Sequence, residues 1–504
     1  MSWKIIWKSL KNEDMRNRIL AVLGMLFVFR ILAHIPIPLS DPETLKQVLD
    51  NLFASADTPQ LLSFINVLSG GALANFSIML VGLGPYINAS IIMQLLTKAI
   101  PRLETLNKEG EFGRKKINQY TRMLTFPLAI IQSIGAIYLV RQSAQAIGGL
   151  GDITANTSPG QWVLMIAALT GGAMMLMWLG ELITERSVGN GISLLITVGI
   201  ISSLPQTATS LLQATISQEN KLHLLGWQLP IDKNGLIISS LILAVVILVT
   251  VIIVKLNEAS RKLTVNYAKR VQGNRAYGGV TTVLPVKLIT AGVIPIIFAV
   301  AFLSVPSFAG QLLSGASSAR LQSIGANLSQ LFQPPTSQTF AIGGWQPYIY
   351  PLVYFLLVFL FTFFYTNITF NAKEIAENLQ KQGGFIEGIR SGRQTEVYLS
   401  KVVNRLTLFG AVSLGLLAIL PIIGQVFLTS NITIGGTSIL ILVSVALETL
   451  RKVESRALMI TYDQYSSDDF FYEPESDGTA ALGARRLRFG RRKGATTKKT
   501  KKTP

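Results

Sequence analysis

LIISSLILAVVILVTVIIV, residues 236–254, holds no charged side chain over its whole length. About 20 apolar residues are needed to cross a hydrocarbon core of roughly 30 Å. Lipid offers no partners for backbone N–H and C=O groups, so such a stretch is predicted to be a transmembrane helix. Similar stretches recur on both sides of it. Together they predict ten spans, near 19–37, 76–97, 123–140, 161–180, 191–213, 236–256, 286–307, 348–370, 406–428 and 437–450.

The Lys and Arg residues between these spans sort the loops into two kinds. The N-terminus, the tail from 451 and every second loop hold 39 of the 45 basic residues; those loops are 98–122, 181–190, 255–287 and 371–405. The intervening loops hold five, and Arg30 lies within the first span. A basic excess on alternate loops marks the cytoplasmic side of a membrane. The sequence therefore predicts an all-α polytopic membrane protein with both termini in the cytoplasm.

Composition excludes several classes of protein. The chain is 49% hydrophobic and 14% charged, with a mean hydropathy of +0.45, which argues against the two or three soluble domains that 504 residues could otherwise form. It has no cysteine, hence no disulfide and no thiolate chemistry, and only His34 and His223. We expect no metal and no cofactor. The basic segment 1–18 has no small-residue cleavage site and is predicted to be retained.

The sequence also lacks the residues that catalysis or ion-coupled transport would require. No Asp or Glu falls in the middle of a predicted span, although an ion-coupled carrier would normally need one. No HExxH, GxSxG or P-loop pattern is present, so we predict no catalytic residue. The net charge of +18 suits topology and anionic lipid head groups, or docking of a polyanion such as ribosomal RNA.

Two predicted spans share the pattern Gly-x-x-Pro. Gly82-Leu-Gly-Pro85 lies in the second span and Gly292-Val-Ile-Pro295 in the seventh. Each is the second span of its half if the chain divides into 19–213 and 236–457, around an external hinge loop at 214–235. Matching interruptions indicate an internal repeat with its working site between the halves. Ordinary kinked helices would give the same pattern, and the sequence leaves both interpretations open.

Three further segments have a predicted character. Residues 61–75 are apolar but too short to cross and are interrupted by glycines, which favours a re-entrant segment. The loops 255–287 and 371–405 mix apolar, aromatic and basic residues, with a strand predicted in 261–268 and a helix in 374–381. Such loops favour partner docking over a merely solvated face. In the tail, 458–504, about the last 20 residues are basic and predicted to be disordered.

Several of these stretches resemble one family. Residues 82–96, 284–299 and 375–411 are similar to SecY, the channel-forming subunit of the bacterial preprotein translocase. Supporting resemblances lie in 29–38, 110–122 and 180–193. The resemblance runs in order from about residue 15 to about 460. It implies ten transmembrane helices in two inverted halves of five, with a re-entrant plug before the second helix.

The resemblance also implies site residues. An aliphatic pore ring would comprise Leu83, Ile87, Ile192, Ile196, Ile297 and Ile441. A plug would include Leu61, Phe64, Ile65, Leu68, Gly70 and Gly71. A lateral gate would include Pro85, Asn88, Ile91, Gln94, Thr290, Pro295 and Phe298. A docking surface for a motor or ribosome would include Arg275, Lys287, Arg390 and Arg393. Ile289 replaces an Asn that is common in the family, so a polar gate contact is expected to be missing.

The implied function is a protein-conducting channel subunit in the cytoplasmic membrane of a bacterium. It would pass unfolded polypeptides across the membrane and release transmembrane segments laterally into lipid. The implied partners are SecE-like and SecG-like small subunits, a SecA-like motor ATPase, the ribosome, signal sequences and nascent chains. Anionic lipids are a further expected partner. A secondary transporter of a small solute is the alternative, and a polar site at the membrane midplane would favour it.

Overall fold

The computed structural model describes residues 13–37, 76–146, 158–215, 221–224, 227–267, 270–272, 275–277, 279, 281–314, 318–335, 344–427 and 436–466. Predictions on the plug segment 61–75 and on the basic end of the tail lie outside these residues. The chain divides into two compact units, Met1–Ala457 and Leu458–Pro504. Of the second unit, only the C-terminal end of one helix, through Ser466, is described.

The described residues are mostly helical. The helices are α1 (Glu13–Leu32), α2 (Gly84–Ala99), α3 (Pro101–Lys108), α4 (Glu111–Ala146), α5 (Pro159–Glu185), α6 (Gly191–Thr215), α7 (Lys233–Glu258), α8 (Ile294–Ser314), α9 (Ala319–Leu331), α10 (Gln346–Thr369), α11 (Ala372–Lys381), α12 (Arg393–Phe427) and α13 (Gly436–Ser466). The strands are β1 (Lys221–Leu224), β2 (Trp227–Asp232), β3 (Ser260–Tyr267), β4 (Arg270–Gln272), β5 (Arg275–Tyr277), β6 (Thr281–Lys287) and β7 (Gly384–Ile386).

Four helical stretches in the described chain are long and apolar enough to cross a membrane. They are Pro159–Glu185, Ser239–Glu258, Gln346–Lys381 and Arg393–Leu420, and Gly191–Pro205 and Ile294–Ser307 are shorter apolar helices. Large apolar side chains remain exposed along these helices, as expected for surfaces that meet lipid. These features agree with a helical membrane protein, and the count of ten spans remains a prediction.

Two of the predicted spans are not helical throughout, which corrects the expectation of continuous helices. Residues 76–83 form turns before α2, and residues 288–293 form bends and turns before α8. Pro85 and Pro295 each lie in the first turn of their helix. A proline there costs no helical hydrogen bond, because the backbone nitrogen at this position has no partner within the helix. Gly82 and Gly292 precede them with φ of 63° and 61°. The Gly-x-x-Pro pattern therefore starts a helix here and does not kink one.

One large hydrophobic cluster joins the apolar helices. It takes buried residues from α1, α2, α5, α6, α7, α8, α10, α12 and α13. A second cluster packs β3, β6 and β7 against α11 and the beginning of α12. The fold therefore has a helical core and a separate small core built from the two long loops.

The loop predictions are confirmed in part. The strand predicted at 261–268 is β3, and the helix predicted at 374–381 is α11. The loop 371–405 is shorter than predicted, because α12 already begins at Arg393. The β1–β2 hairpin at 221–232 and helix α9 were not predicted from the sequence.

Candidate channel site and docking surface

The six aliphatic side chains predicted to form the pore ring come from four places in the fold. They lie at the start of α2 (Leu83, Ile87), on α6 (Ile192, Ile196), on α8 (Ile297) and on α13 (Ile441). Residues four apart share one helix face, so each pair presents a single surface. Five of them are buried members of the large cluster, and Ile192, which is half-buried, packs against it. The structure thus places the predicted residues in or against the same large cluster, and their role as a ring stays a prediction.

The surroundings of these residues are free of buried charge. No Lys, Arg, Asp or Glu is among the buried side chains of the described ranges. The buried polar residues are Ser and Thr together with Asn88. Several of these hydroxyls donate a hydrogen bond to a backbone carbonyl of their own helix; Thr197 Oγ1, for example, donates to the Ser193 carbonyl at 2.8 Å. A polar chain passing through this region would therefore meet few groups that could hold it.

The two helices predicted to form the lateral gate contact each other. α2 packs against α8. Pro85, Asn88 and Ile91 are buried on α2, as are Pro295 and Phe298 on α8. Gln94 on α2 is half-buried, and its Nε2 donates to Ser90 Oγ at 3.1 Å on the same helix. The Gln94 Oε1 atom is buried without a partner in the described chain.

α8 and the turn before it also contact α10 through side chains. Thr290 Oγ1 donates to Thr366 Oγ1 at 3.2 Å. The Phe298 ring meets Phe361 and Tyr365 edge to face, with centroids 6.1 and 6.2 Å apart. Ile289, which replaces the polar residue expected from the family, is 5% exposed and packs in the large cluster. The side-chain hydrogen bonds described for the predicted gate residues themselves are therefore made within α2 or with α10.

The two long loops form a single folded module, which we call the docking module after its predicted role. β3 pairs with β6 on one side and with β7 on the other, in a three-stranded antiparallel sheet. Because β7 lies between α11 and α12, the pairing joins the loop 255–287 to the loop 371–405. Leu263, Val286 and Leu399 are among the residues buried between sheet and helices. Two segments more than 100 residues apart thus act as one folded surface.

The predicted docking residues are distributed unevenly over this module. Arg390 is exposed on a turn flanked by Gly388 and Gly392, with φ of 78° and 97°, and Arg393 is exposed at the start of α12 directly after it. Thr395 Oγ1 donates to the Arg390 carbonyl at 3.0 Å and closes this turn. Arg275 lies in β5, which forms a two-stranded sheet with β4. The turn and the first residue of α12 therefore carry two exposed arginines three positions apart in sequence.

Lys287 lies at the end of β6, where the sheet approaches α13. Partial burial lowers the pKa of its ammonium group, and the charge of Arg451 lowers that pKa further. The carboxylate of Glu448 acts in the opposite direction and raises it. Lys287 therefore belongs to a mixed-charge cluster at the base of the module, apart from the exposed turn at Arg390.

Sequence reasoning missed two interhelical polar contacts. Arg122 on α4 and Glu181 on α5 form an ion pair with two short contacts, Nη2–Oε2 at 2.6 Å and Nε–Oε1 at 3.0 Å. Asn257 at the end of α7 is hydrogen-bonded to Ser444 and Arg451 on α13. Apart from Ser444, which falls in the middle of the predicted span 437–450, these residues lie near predicted span ends, and that placement was the only signal the sequence offered.

Comparison with known proteins shows the family of the chain and its fold. A family model described as SecY matches residues 77–450. The chain belongs to the SecY family. The protein translocase subunit SecY of Streptomyces galbus is 38% identical over 463 residues, covering 91% of this chain and 98% of the relative. The SecY subunit of Mycobacterium tuberculosis is also 38% identical, over 461 residues, with the same coverage.

Solved structures show the same fold. A structure described as that of a protein-conducting channel has a TM-score of 0.56 at 18% identity, covering 89% of this chain and 93% of the other. The canine Sec61 chain in a ribosome–channel complex from the endoplasmic reticulum has a TM-score of 0.53 at 17% identity, with the same coverage. The SecY family member is thus a multi-pass membrane protein and a protein translocase subunit. This assignment supports the channel over a small-solute transporter.

Proposed function

We propose that this chain forms the conducting channel of a bacterial protein translocase in the cytoplasmic membrane. Unfolded secretory polypeptides would cross between two halves, 19–213 and 236–457, with both termini and the docking module on the cytoplasmic side. The observation that carries the proposal is that these six aliphatic side chains, from α2, α6, α8 and α13, lie in or against one large cluster without buried charge. The distribution of basic loops supports the orientation.

The proposed ring works by excluding water. A narrow aliphatic constriction dewets when empty and so blocks ions. The same surface offers no directional bonds to a passing chain, which lets polypeptides of different sequence slide through. Residues 61–75 are proposed as the plug that adds to this seal.

We further propose that α2 and α8 separate laterally to release signal sequences and transmembrane segments into lipid. In support, Thr290 and Phe298 bind α10, while Gln94 bonds within α2. Opening the α2–α8 contact would therefore break mainly dispersion contacts, which are individually weak. The loss of a polar side chain at Ile289 fits such an easily parted seam.

The energy for transport is proposed to come from partners. The module carrying Arg390 and Arg393 is the proposed dock for a SecA-like motor ATPase or the ribosome, since exposed guanidinium groups can bind carboxylate or phosphate in a bidentate manner. SecE-like and SecG-like subunits would complete the complex, and anionic lipids would meet the basic loops. Affinity purification in mild detergent tests this composition, and a chain that purifies without small helical subunits would contradict it.

The ring is tested by substituting Ile297 or Ile441 with Asn in the purified complex. Planar bilayers should then show a larger idle ion conductance, because a polar side chain wets the constriction. Ile247→Asn is the matched control, since Ile247 lies on α7 and is 55% exposed. Unchanged conductance for both ring variants would overturn the ring assignment.

The dock is tested by Arg390→Glu in proteoliposomes. Motor-driven export should fall because the guanidinium is replaced by a repelling carboxylate, while insertion of the chain itself is unaffected. Lys401→Glu makes the same charge change at an exposed position on α12. Equal export by wild type and Arg390→Glu would remove Arg390 from the docking surface.

A further inference from the structure

Two side chains of α13 hold one residue at the end of α7. Asn257 Nδ2 donates to Ser444 Oγ at 2.9 Å and, less closely, to the Ile253 carbonyl of its own helix at 3.3 Å. Arg451 Nη2 donates to the backbone carbonyl of Asn257 at 3.1 Å. These contacts join elements almost 200 residues apart in sequence.

Each contact satisfies a group that would otherwise lack a partner. Ser444 is 5% exposed and stands beside Leu440 and Val445 of the large cluster, where an unpaired hydroxyl is unfavourable. The Asn257 carbonyl is among the last four carbonyls of α7, for which the helix itself supplies no N–H donor. Arg451 supplies its donor, and a positive charge suits a helix C-terminus. Both helices therefore supply hydrogen-bonding groups to this contact.

The position of this contact on α13 relates it to Ile441. Ser444 and Arg451 are seven residues apart and share one face, and Ile441 lies three residues before Ser444. Aliphatic packing alone tolerates small rotations of a helix, whereas hydrogen bonds are directional. A turn of one residue position, about 100°, would carry Ile441 away from the other ring residues.

We propose that Asn257, Ser444 and Arg451 are positioning residues that fix the rotation of α13 and thereby hold Ile441 in the pore seal. This inference rests on the proposed function, because the seal is the property that the rotation serves. The three residues touch no translocating chain. They act on it only through Ile441.

Conductance gives the first test. Ser444→Ala and Asn257→Ala each remove one partner, and the idle ion conductance of the purified complex should rise roughly fivefold, the population change that one net hydrogen bond supports. Ser444→Thr keeps the hydroxyl and should stay close to wild type. The double variant should leak no more than either single variant, since both lose the same bond. Thr250→Val is the matched control, because the hydrogen bond described for Thr250 Oγ1 lies within α7, to the Val246 carbonyl.

Cysteine labelling gives a second test that does not depend on the seal. The chain has no cysteine, so a single cysteine at Ile441, Leu442 or Val443 can be labelled with a water-soluble maleimide without background. Rotation of α13 should redistribute the labelling rates among these neighbouring positions in the Ser444→Ala background. The Ser444→Thr background should keep the original pattern.

The two readouts separate the positioning role from the channel proposal. Redistributed labelling with increased conductance supports both. A second outcome is redistributed labelling in Ser444→Ala while the conductance of both Ser444→Ala and Ile441→Asn stays at the wild-type level. This result keeps the positioning role and overturns the ring. Unchanged labelling and conductance in Ser444→Ala, with a leaking Ile441→Asn, overturns the positioning role alone.

Discussion

The segments that lead into α2 and α8 share a local conformation but differ in what supports them. We call residues 76–83 the α2 entry and residues 288–293 the α8 entry. In each, a glycine with φ near 60° stands three residues before a proline in the first helical turn. The shared pattern agrees with the predicted internal repeat. The segments that contact the α2 entry and the α8 entry are different.

The α2 entry is supported by other helices. Ile37 N donates to the Phe76 carbonyl and Ile78 N donates to the Ile35 carbonyl, both at 3.0 Å, so the entry is paired with the chain after α1. Gly172 of α5 lies against the Ile78 carbonyl. A close helix–backbone contact of this kind leaves the entry little freedom to move.

The α8 entry is supported by the docking module. Leu288 N donates to the Ala259 carbonyl at 2.9 Å, directly beside β3, and Gly410 of α12 lies against the Leu288 carbonyl. A partner that shifts the sheet would therefore act on the α8 entry, whereas nothing comparable is described at the α2 entry. The difference makes α8 the better candidate for the moving side of the gate.

The largest expected effect comes from Gly172→Ala. A methyl group at this position would overlap the Ile78 carbonyl oxygen and carbon, which are backbone atoms and cannot rotate away. We expect a loss of about 3 kcal/mol of stability, seen as a lower melting temperature of the detergent-purified complex. Gly171→Ala is the control, because a methyl group there meets nothing within 4 Å. Equal melting of the two variants would show that the α2 entry is loosely held.

The corresponding change at the α8 entry is Gly410→Ala, and its effect should be smaller. The added methyl group would lie 2.7 Å from the Leu288 carbonyl oxygen, so a modest shift relieves the contact. We expect about 1–2 kcal/mol of lost stability. Since the shift would move the α8 entry, idle conductance should change as well. A larger thermal effect than that of Gly172→Ala would reverse the comparison.

Substitution of the two entry glycines tests their shared backbone conformation. A β-branched residue at φ near +60° costs about 1–2 kcal/mol, because its Cβ crowds the following carbonyl. Gly292→Val should show this cost without added packing strain, since nothing lies within 4 Å of a Cβ there. Asn tolerates this region better, so Gly292→Asn should melt closer to wild type. Gly24→Val, at an open helical position, is the control for the added side chain.

The sequence predicted the parts of this fold that leave a local signature. Basic loops, the β3 alternation and the Gly-x-x-Pro pair each report on neighbours in sequence. The Gly-x-x-Pro pair marks two helix starts, and the kinked helices that the sequence had left open are not found there. Contacts between distant segments leave no such signature. Glu181 is 59 residues from Arg122, and Ser444 is 187 from Asn257. Which helix faces meet was therefore not predictable from spacing.

The smallest expected effect concerns the Arg122–Glu181 ion pair, which braces α4 and α5 behind α2. The Glu181 side chain is 14% exposed and that of Arg122 48%, so water screens the pair in part. Glu181→Gln should cost about 1 kcal/mol, and Arg122→Lys nearly as much, because lysine cannot form the two parallel contacts. The Glu104–Lys108 pair on α3 has similar length, 2.8 Å, but greater exposure, 42% and 71%. Glu104→Gln should therefore leave the melting temperature unchanged. Raising the salt concentration should narrow the gap between Glu181→Gln and wild type only slightly, and a gap that vanishes at high salt would place this pair with the exposed one.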